Sequence, residues 1–339
     1  MNPHPNPLSG SQAPVLELRD LRTEFRVGGA WHAAVRDVSL QVGRNETLAV
    51  VGESGSGKSV TALSVLRLLP EAGARHGGGQ ILLDGADLAA LSEKQMMKLR
   101  GESIAMIFQE PMTSLNPTMT VGDQIAEAIR QHRRLPWAEA RRLALAVLEE
   151  VKIPAAAKRF GDYPHQFSGG MRQRVMIAMA LACKPRVLLA DEPTTALDVT
   201  IQAQILTLLS DLKAAHGMAV LFITHNLGVV AQIADRVAVM YAGEVVETAD
   251  VQTLFARPTH PYTEALLRAM PRVDADSAVL ESIPGGVPAI TAMPKGCAFA
   301  PRCRLKEARC EAERPQLTRI GPSHQVRCVV RAEPHGGKA

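Results

Sequence analysis

The apolar run Thr47-Leu48-Ala49-Val50-Val51 leads without a break into Gly52-Glu53-Ser54-Gly55-Ser56-Gly57-Lys58-Ser59, and a helical stretch over residues 58 to about 69 follows. Strand, glycine-rich loop and helix in this order constrain the fold more than any other feature of the chain. The glycines let backbone N–H groups turn inward without Cβ clashes, so the loop can wrap an anion at a helix N-terminus. Lys58 supplies a point charge for β- and γ-phosphates, and the Ser59 hydroxyl can ligate Mg²⁺. The bland alternative is a glycine-rich helix entry that holds no ligand.

Around this unit, strand-like runs recur at Val15-Leu18, Val38-Leu40 with Val42, Ile81-Leu83, Ile104-Phe108, Val187-Ala190, Val220-Ile223 and Val237-Met240. Alternation of such runs with helical segments predicts a mostly parallel sheet. Between Val121 and Ala182 the apolar residues follow helical spacing instead, as in Ile125, Ala128 and Ile129. That interval predicts a helical lobe inserted into the sheet domain. The 339 residues are 46% apolar and 21% charged, enough for one large buried core with an appendage. A net charge of +4 does not point to nucleic acid. No apolar run approaches the length of a bilayer span. Residues 1–14, rich in Pro, Asn and Ser, read as a disordered leader without the features of a signal peptide, so the chain is expected in the cytosol.

Further residues converge on phosphate chemistry. Val187-Leu188-Leu189-Ala190 ends in Asp191-Glu192, two carboxylates at a strand end. A Mg²⁺-holding acid belongs there, with Asp191 for the metal and Glu192 to orient or deprotonate water. Ser168 is a natural helix N-cap, and Gly169 and Gly170 leave N–H groups bare before the helix. Such a start favours a phosphate, although a capped helix without a ligand is an equal reading. His225, at the end of another strand run, can meet a γ-phosphate or the attacking water. Gln109 follows Ile104-Phe108 and could ligate Mg²⁺ and sense the nucleotide.

This ordered set resembles the ATP-binding subunit of ABC transporters over about residues 15–258. The resemblance implies a P-loop NTPase fold of the ABC ATPase type, α/β, with a mostly parallel core, an antiparallel β edge and a helical lobe at about residues 110–184. By it, Gly52, Glu53, Ser54, Gly55, Ser56, Gly57, Lys58, Ser59 and Val60 bind ATP, with Gln109 as the Q-loop glutamine. The signature Ser168, Gly169, Gly170, Met171 and Gln173 acts on ATP held by a partner chain. Asp198 belongs to the D-loop, Mg²⁺ is held by Ser59, Gln109 and Asp191, and Glu192, His225 and Lys58 are catalytic. The adenine-stacking aromatic is expected at Phe25, with Trp31 as the other choice. Met171 departs from the more usual Gln of the signature without removing Ser168 or the glycines. Phe108-Gln109-Glu110-Pro111-Met112-Thr113-Ser114-Leu115-Asn116-Pro117 and His260-Pro261-Tyr262-Thr263 are similar to the D-type subunits of dipeptide and oligopeptide importers. That branch implies a sister ATP-binding subunit as heterodimer partner, two membrane permease subunits and an extracytoplasmic solute-binding protein. It places the chain at the cytoplasmic face of the inner membrane, peripherally bound. No nucleic-acid partner is expected, and the chain alone should hydrolyse ATP poorly. Other cargoes (nickel, glutathione, an opine-like compound) and a soluble ABC ATPase acting on nucleic acid or protein assemblies are the rival readings.

Four of the five cysteines, Cys297, Cys303, Cys310 and Cys328, lie in the C-terminal segment, residues 259–339. Their spacing lacks the short gap of zinc knuckles, and four thiolates suit an iron–sulfur cluster. The importer resemblance implies a [4Fe-4S] site, with Zn²⁺ as the alternative and His324 as a competing ligand. Cys183 reads as core. The basic run Arg130, His132, Arg133, Arg134, Arg141 and Arg142 reads as a solvated helical face, ahead of lipid contact.

Overall fold

The computed structural model describes residues 13–110, 114–195, 197–270 and 283–332. The expected leader lies outside these residues except for its last two positions, as do Pro111, Met112, Thr113 and Ala196. Five parallel strands form the centre in the order β9 (Arg236–Tyr241), β3 (Thr47–Val51), β8 (Ala219–Thr224), β7 (Val187–Asp191) and β6 (Ile104–Ile107). Every residue of β3, β7 and β8 is buried, which is why they read as unbroken apolar runs and not as alternations. Each fully buried Val, Leu or Ile contributes about 1.5–3 kcal/mol to holding the strands in place.

A second, antiparallel sheet has the order β2-β1-β4-β5, from β1 (Leu16–Val27), β2 (Ala30–Val42), β4 (Ala74–Leu83) and β5 (Ala86–Asp87). Its inner face, with Leu16, Leu18, Leu21 and Val38, shares a core with Leu48 and Val50 of β3 and with Ala62 and Val65 of α1 (Lys58–Val65). Helix α1 stops earlier than its apolar pattern predicts. Arg67 takes a left-handed φ of 52°, and the Leu68 N–H bonds back to the Leu63 carbonyl at 3.0 Å, closing the helix end. Beyond α2 (Glu93–Leu99), the helical interval holds α3 (Val121–Arg133), α4 (Trp137–Glu150) and α5 (Gly169–Leu181). Ile125, Ile129, Ala144, Leu148, Val175 and Ile177 pack together there and continue into Leu188 and Ala190 of β7. Cys183 is buried, as expected of a core residue. The basic residues of α3 and α4 are partly engaged: Arg130 lies over the Trp137 ring, and Arg141 pairs with Asp123 and covers Phe160.

After α6 (Val199–His216) and α7 (Leu227–Ile233), strand β10 (Glu244–Asp250) turns back antiparallel to β9. Helices α8 (Val251–Ala256) and α9 (Pro261–Arg268) follow. The tail then joins the same sheet: β12 (Gln325–Val326) pairs with Thr248 and Glu247 of β10, and β11 (Thr318–Arg319) pairs with β12. Buried Glu247 ties this junction, accepting from the N–H groups of Thr259 (2.7 Å) and His260 (2.9 Å) while His324 Nε2 lies 2.7 Å away.

Candidate nucleotide site

The glycine loop crosses the end of β3 under close steric limits. Gly52 has φ 155°, and a Cβ there would stand 2.2 Å from the Met240 carbonyl oxygen and 2.8 Å from Ser56 Oγ. Gly57, at φ 99°, caps α1 from a left-handed conformation with the Ala34 carbonyl 2.9 Å from its missing Cβ. These two positions require glycine, because any larger residue would meet the backbone that crosses the loop. Lys58 folds back over the loop, donating to the carbonyls of Gly52 (2.7 Å) and Glu53 (3.0 Å) and to Ser56 Oγ (3.3 Å). Burial lowers its pKa, and Glu192, Asp191 and Glu53 oppose that shift. Val60, on the first turn of α1, packs against the core below the loop.

Ser59 Oγ donates to Asp191 Oδ1 at 3.1 Å, bringing together two of the expected Mg²⁺ ligands from positions 132 residues apart. Burial raises the Asp191 pKa; the Ser59 bond and Lys58 oppose it. A buried carboxylate and a hydroxyl beside the glycine loop are hard oxygen donors, so they fit Mg²⁺, which keeps water and phosphate oxygens among its ligands. Gln109, the third expected ligand, carries its amide nitrogen to Glu192 Oε2 at 3.3 Å instead.

Glu192 is the hub of the other half of the site. It sits just past β7 with φ 47°, a left-handed conformation unusual for a residue with a Cβ, while its N–H bonds the Ile223 carbonyl of β8. Its carboxylate meets His225 Nδ1 at 2.9 Å and accepts from Thr195 Oγ1 at 2.9 Å. Burial works against its ionisation, but the bonds from His225 and Thr195 and the charges of His225 and Lys58 outweigh it. They hold the carboxyl below its ordinary range. With Gln109 as a third partner the ionised carboxylate is held in one orientation, from which it can receive a proton from water. Thr195 escaped the sequence reading, although its place three residues after Glu192 offered a signal.

The signature residues lie apart from this cluster, at the start of α5. Ser168 Oγ accepts from the Met171 N–H and caps the helix, and Gly169 is exposed. Gly170 packs against α6, where a Cβ would come within 2.7 Å of Ile201. Asp198 caps α6 by accepting from the Ile201 N–H, so signature and D-loop share one contact. Met171 packs on the lobe core, and Gln173 is buried with its Nε2 unpaired among the described residues. Phe25 is half-buried in β1 opposite His32 and Ala74, whereas Trp31 is covered by Arg75 at 4.3 Å.

Cys297, Cys303, Cys310 and Cys328 line one small pocket with His260 and Phe299. The donor set suits metal–thiolate chemistry, but the arrangement does not. Among the described residues no group of three or more His, Cys, Asp or Glu side chains is placed to hold a metal ion. The expected [4Fe-4S] cluster and its Zn²⁺ alternative therefore gain no support from the geometry. Burial in this pocket pushes Cys297 to about 11 and raises Cys303 and Cys328. His324, the competing ligand, is engaged with Glu247.

Residues 35–195 match the ABC transporter family, and residues 246–310 match the oligopeptide/dipeptide transporter C-terminal region. A putative peptide import ATP-binding protein of Brucella melitensis is 52% identical over 330 residues, covering 94% of this chain and 98% of the relative. A probable peptide ABC transporter ATP-binding protein of Sinorhizobium fredii is 54% identical over 315 residues, 93% and 94% of the two chains. The ATP-binding cassette MJ0796, solved as a dimer in a post-hydrolysis state with ADP and Pi, is 28% identical. It superposes with a TM-score of 0.62 over 70% of this chain and 98% of its own. Among the described residues no helix is long and apolar enough to cross a membrane. A phosphate loop, a paired carboxylate end and relatives matched along nearly their whole length agree: the chain belongs to the family of ABC transporter ATP-binding proteins.

Proposed function

We propose that this chain binds and hydrolyses ATP to power import of dipeptides or oligopeptides through a membrane ABC transporter. The observation that carries the reading is Glu192, ionised and held between His225 and Thr195 beside the Lys58 and Ser59–Asp191 cluster. The C-terminal match and the names of the Brucella and Sinorhizobium relatives support peptides as cargo.

In this reading the loop N–H groups and Lys58 take the phosphates, and Phe25 stacks on the base. Mg²⁺, when bound at Ser59 and Asp191, neutralises charge on the phosphate oxygens. Glu192 orients the attacking water and accepts its proton, and His225 steadies the γ-phosphate. Gln109, bonded to Glu192, senses that chemistry from the edge of the helical lobe. Ser168, Gly169 and Gly170 close over nucleotide bound to a sister ATP-binding subunit, with Asp198 at the seam. Two permease subunits and an extracytoplasmic solute-binding protein complete the assembly, with this chain peripheral on its cytoplasmic side. The iron–sulfur cluster expected at Cys297, Cys303, Cys310 and Cys328 enters the proposal on the importer resemblance alone, because among the described residues no group is placed to hold a metal ion. A colourless, iron-free sample from anaerobic purification would remove that part.

The test of the hydrolytic assignment is Glu192→Gln in the assembled transporter. Turnover should fall by about a hundredfold or more while ATP still binds. Hydrolysis near the wild-type rate would overturn the assignment of the base.

A further inference from the structure

The C-terminal segment reaches back to the phosphate loop at one residue. Glu53 is held at three points. Its N–H donates to the Tyr262 hydroxyl at 2.8 Å, its carboxylate pairs with Arg302 at 3.0 Å, and its carbonyl accepts from Lys58 at 3.0 Å. Both outer partners come from the C-terminal region, and both are fixed before they reach Glu53. Tyr262 is fully buried, with its ring 4.7 Å from Tyr241 and 5.3 Å from Phe299. The Arg302 side chain is 5% exposed, donates to the carbonyls of Pro284 (2.8 Å) and Ile283 (3.1 Å), and lies over the Tyr241 and Phe299 rings.

We propose that Tyr262 and Arg302 are positioning residues for the nucleotide site, acting through Glu53 to hold the loop in its phosphate-binding shape. The inference rests on the reading of residues 52–59 as an ATP site. Lys58 is aimed across the cradle by the carbonyls of Gly52 and Glu53, so whatever fixes the Glu53 backbone fixes the lysine as well. Without the clamp, the loop must be ordered at the moment of binding, and nucleotide affinity falls by that ordering cost. The clamp makes the C-terminal region part of the ATP site without touching nucleotide.

The experiment titrates the full chain with trinitrophenyl-ATP and Mg²⁺. The variants are Tyr262→Phe, Arg302→Gln, Glu53→Gln and the pair R302Q/E53Q, with Lys58→Ala as reference. Each single clamp variant should bind about three- to tenfold more weakly, and the pair should be no worse than its poorer member. Tyr262→Phe removes one oxygen and leaves the aromatic cluster in place, so its thermal midpoint without nucleotide should fall by about a few degrees at most while affinity drops. Arg302→Lys, which keeps charge but loses the planar fork, should recover only part of the affinity. Wild-type affinity in Tyr262→Phe and Glu53→Gln would overturn the clamp, as would a lowered midpoint with unchanged affinity. Binding that survives Lys58→Ala would instead overturn the ATP-site reading itself.

Discussion

His260 offers a quantitative test of how the C-terminal region is built. It is 1% exposed, and its Nδ1 accepts from the Tyr262 N–H at 3.1 Å, capping α9. With Nδ1 as an acceptor the ring is neutral, and a bond to the Arg327 backbone engages it further. Burial pushes its pKa from the ordinary 6.5 down to about 4, against the opposing charge of Glu247. The sign follows from proton counting. Above the unfolded pKa both states are neutral, and the stability is fully present. As pH falls through the window between the two values, the unfolded chain takes up a proton that the folded chain refuses. From about pH 7 to about pH 4.5 this costs about 2.5 kcal/mol. His260→Asn keeps an acceptor for the helix cap but cannot titrate. Urea unfolding, followed by far-ultraviolet circular dichroism at both pH values, should show wild type losing about 2.5 kcal/mol more than the variant. The carboxylates common to both proteins cancel in that difference. Parallel losses in the two proteins would refute a buried neutral His260.

Gly52→Ala should cost about a hundredfold or more in nucleotide affinity, because its Cβ would overlap the Met240 carbonyl. Gly55→Ala, where nothing lies within 4 Å of the added carbon, should cost about fivefold from backbone strain alone, and titration with a fluorescent nucleotide separates the two. Glu247→Ala strands two buried N–H groups and His324, so it should destabilise the chain by about 3 kcal/mol or more. It should also expose the tail first to limited proteolysis.

The glycine loop, the paired carboxylates of Asp191 and Glu192, the Ser168 cap and the five parallel strands were legible because each depends on a few neighbouring residues. A buried parallel strand is apolar throughout, and a helix cap is set by the hydroxyl or carboxylate beside it. The end of α1 was less legible, since Val65-Leu66 and Leu68-Leu69 continue the apolar pattern past a left-handed Arg67. Strands β11 and β12, of two residues each, carry no periodicity to read, and the Glu247–His324 contact lies where β12 meets β10. The ligand set at the four cysteines was implied by the importer resemblance and not by their spacing, and spacing does not say how the thiols are placed around one another.

What the sequence by itself determined is which chemical groups are available: a glycine-rich loop ending in Lys58 and Ser59, the paired carboxylates of Asp191 and Glu192, and a serine-capped helix start at Ser168. What only the tertiary structure decided is which groups meet. Strand register sets Ser59 against Asp191, and β7 beside β8 brings His225 to Glu192. Packing of the aromatic cluster carries Arg302 to Glu53, 249 residues away in the chain. Local backbone preference acts over a few residues, whereas such pairings depend on the summed packing of elements that no short window contains.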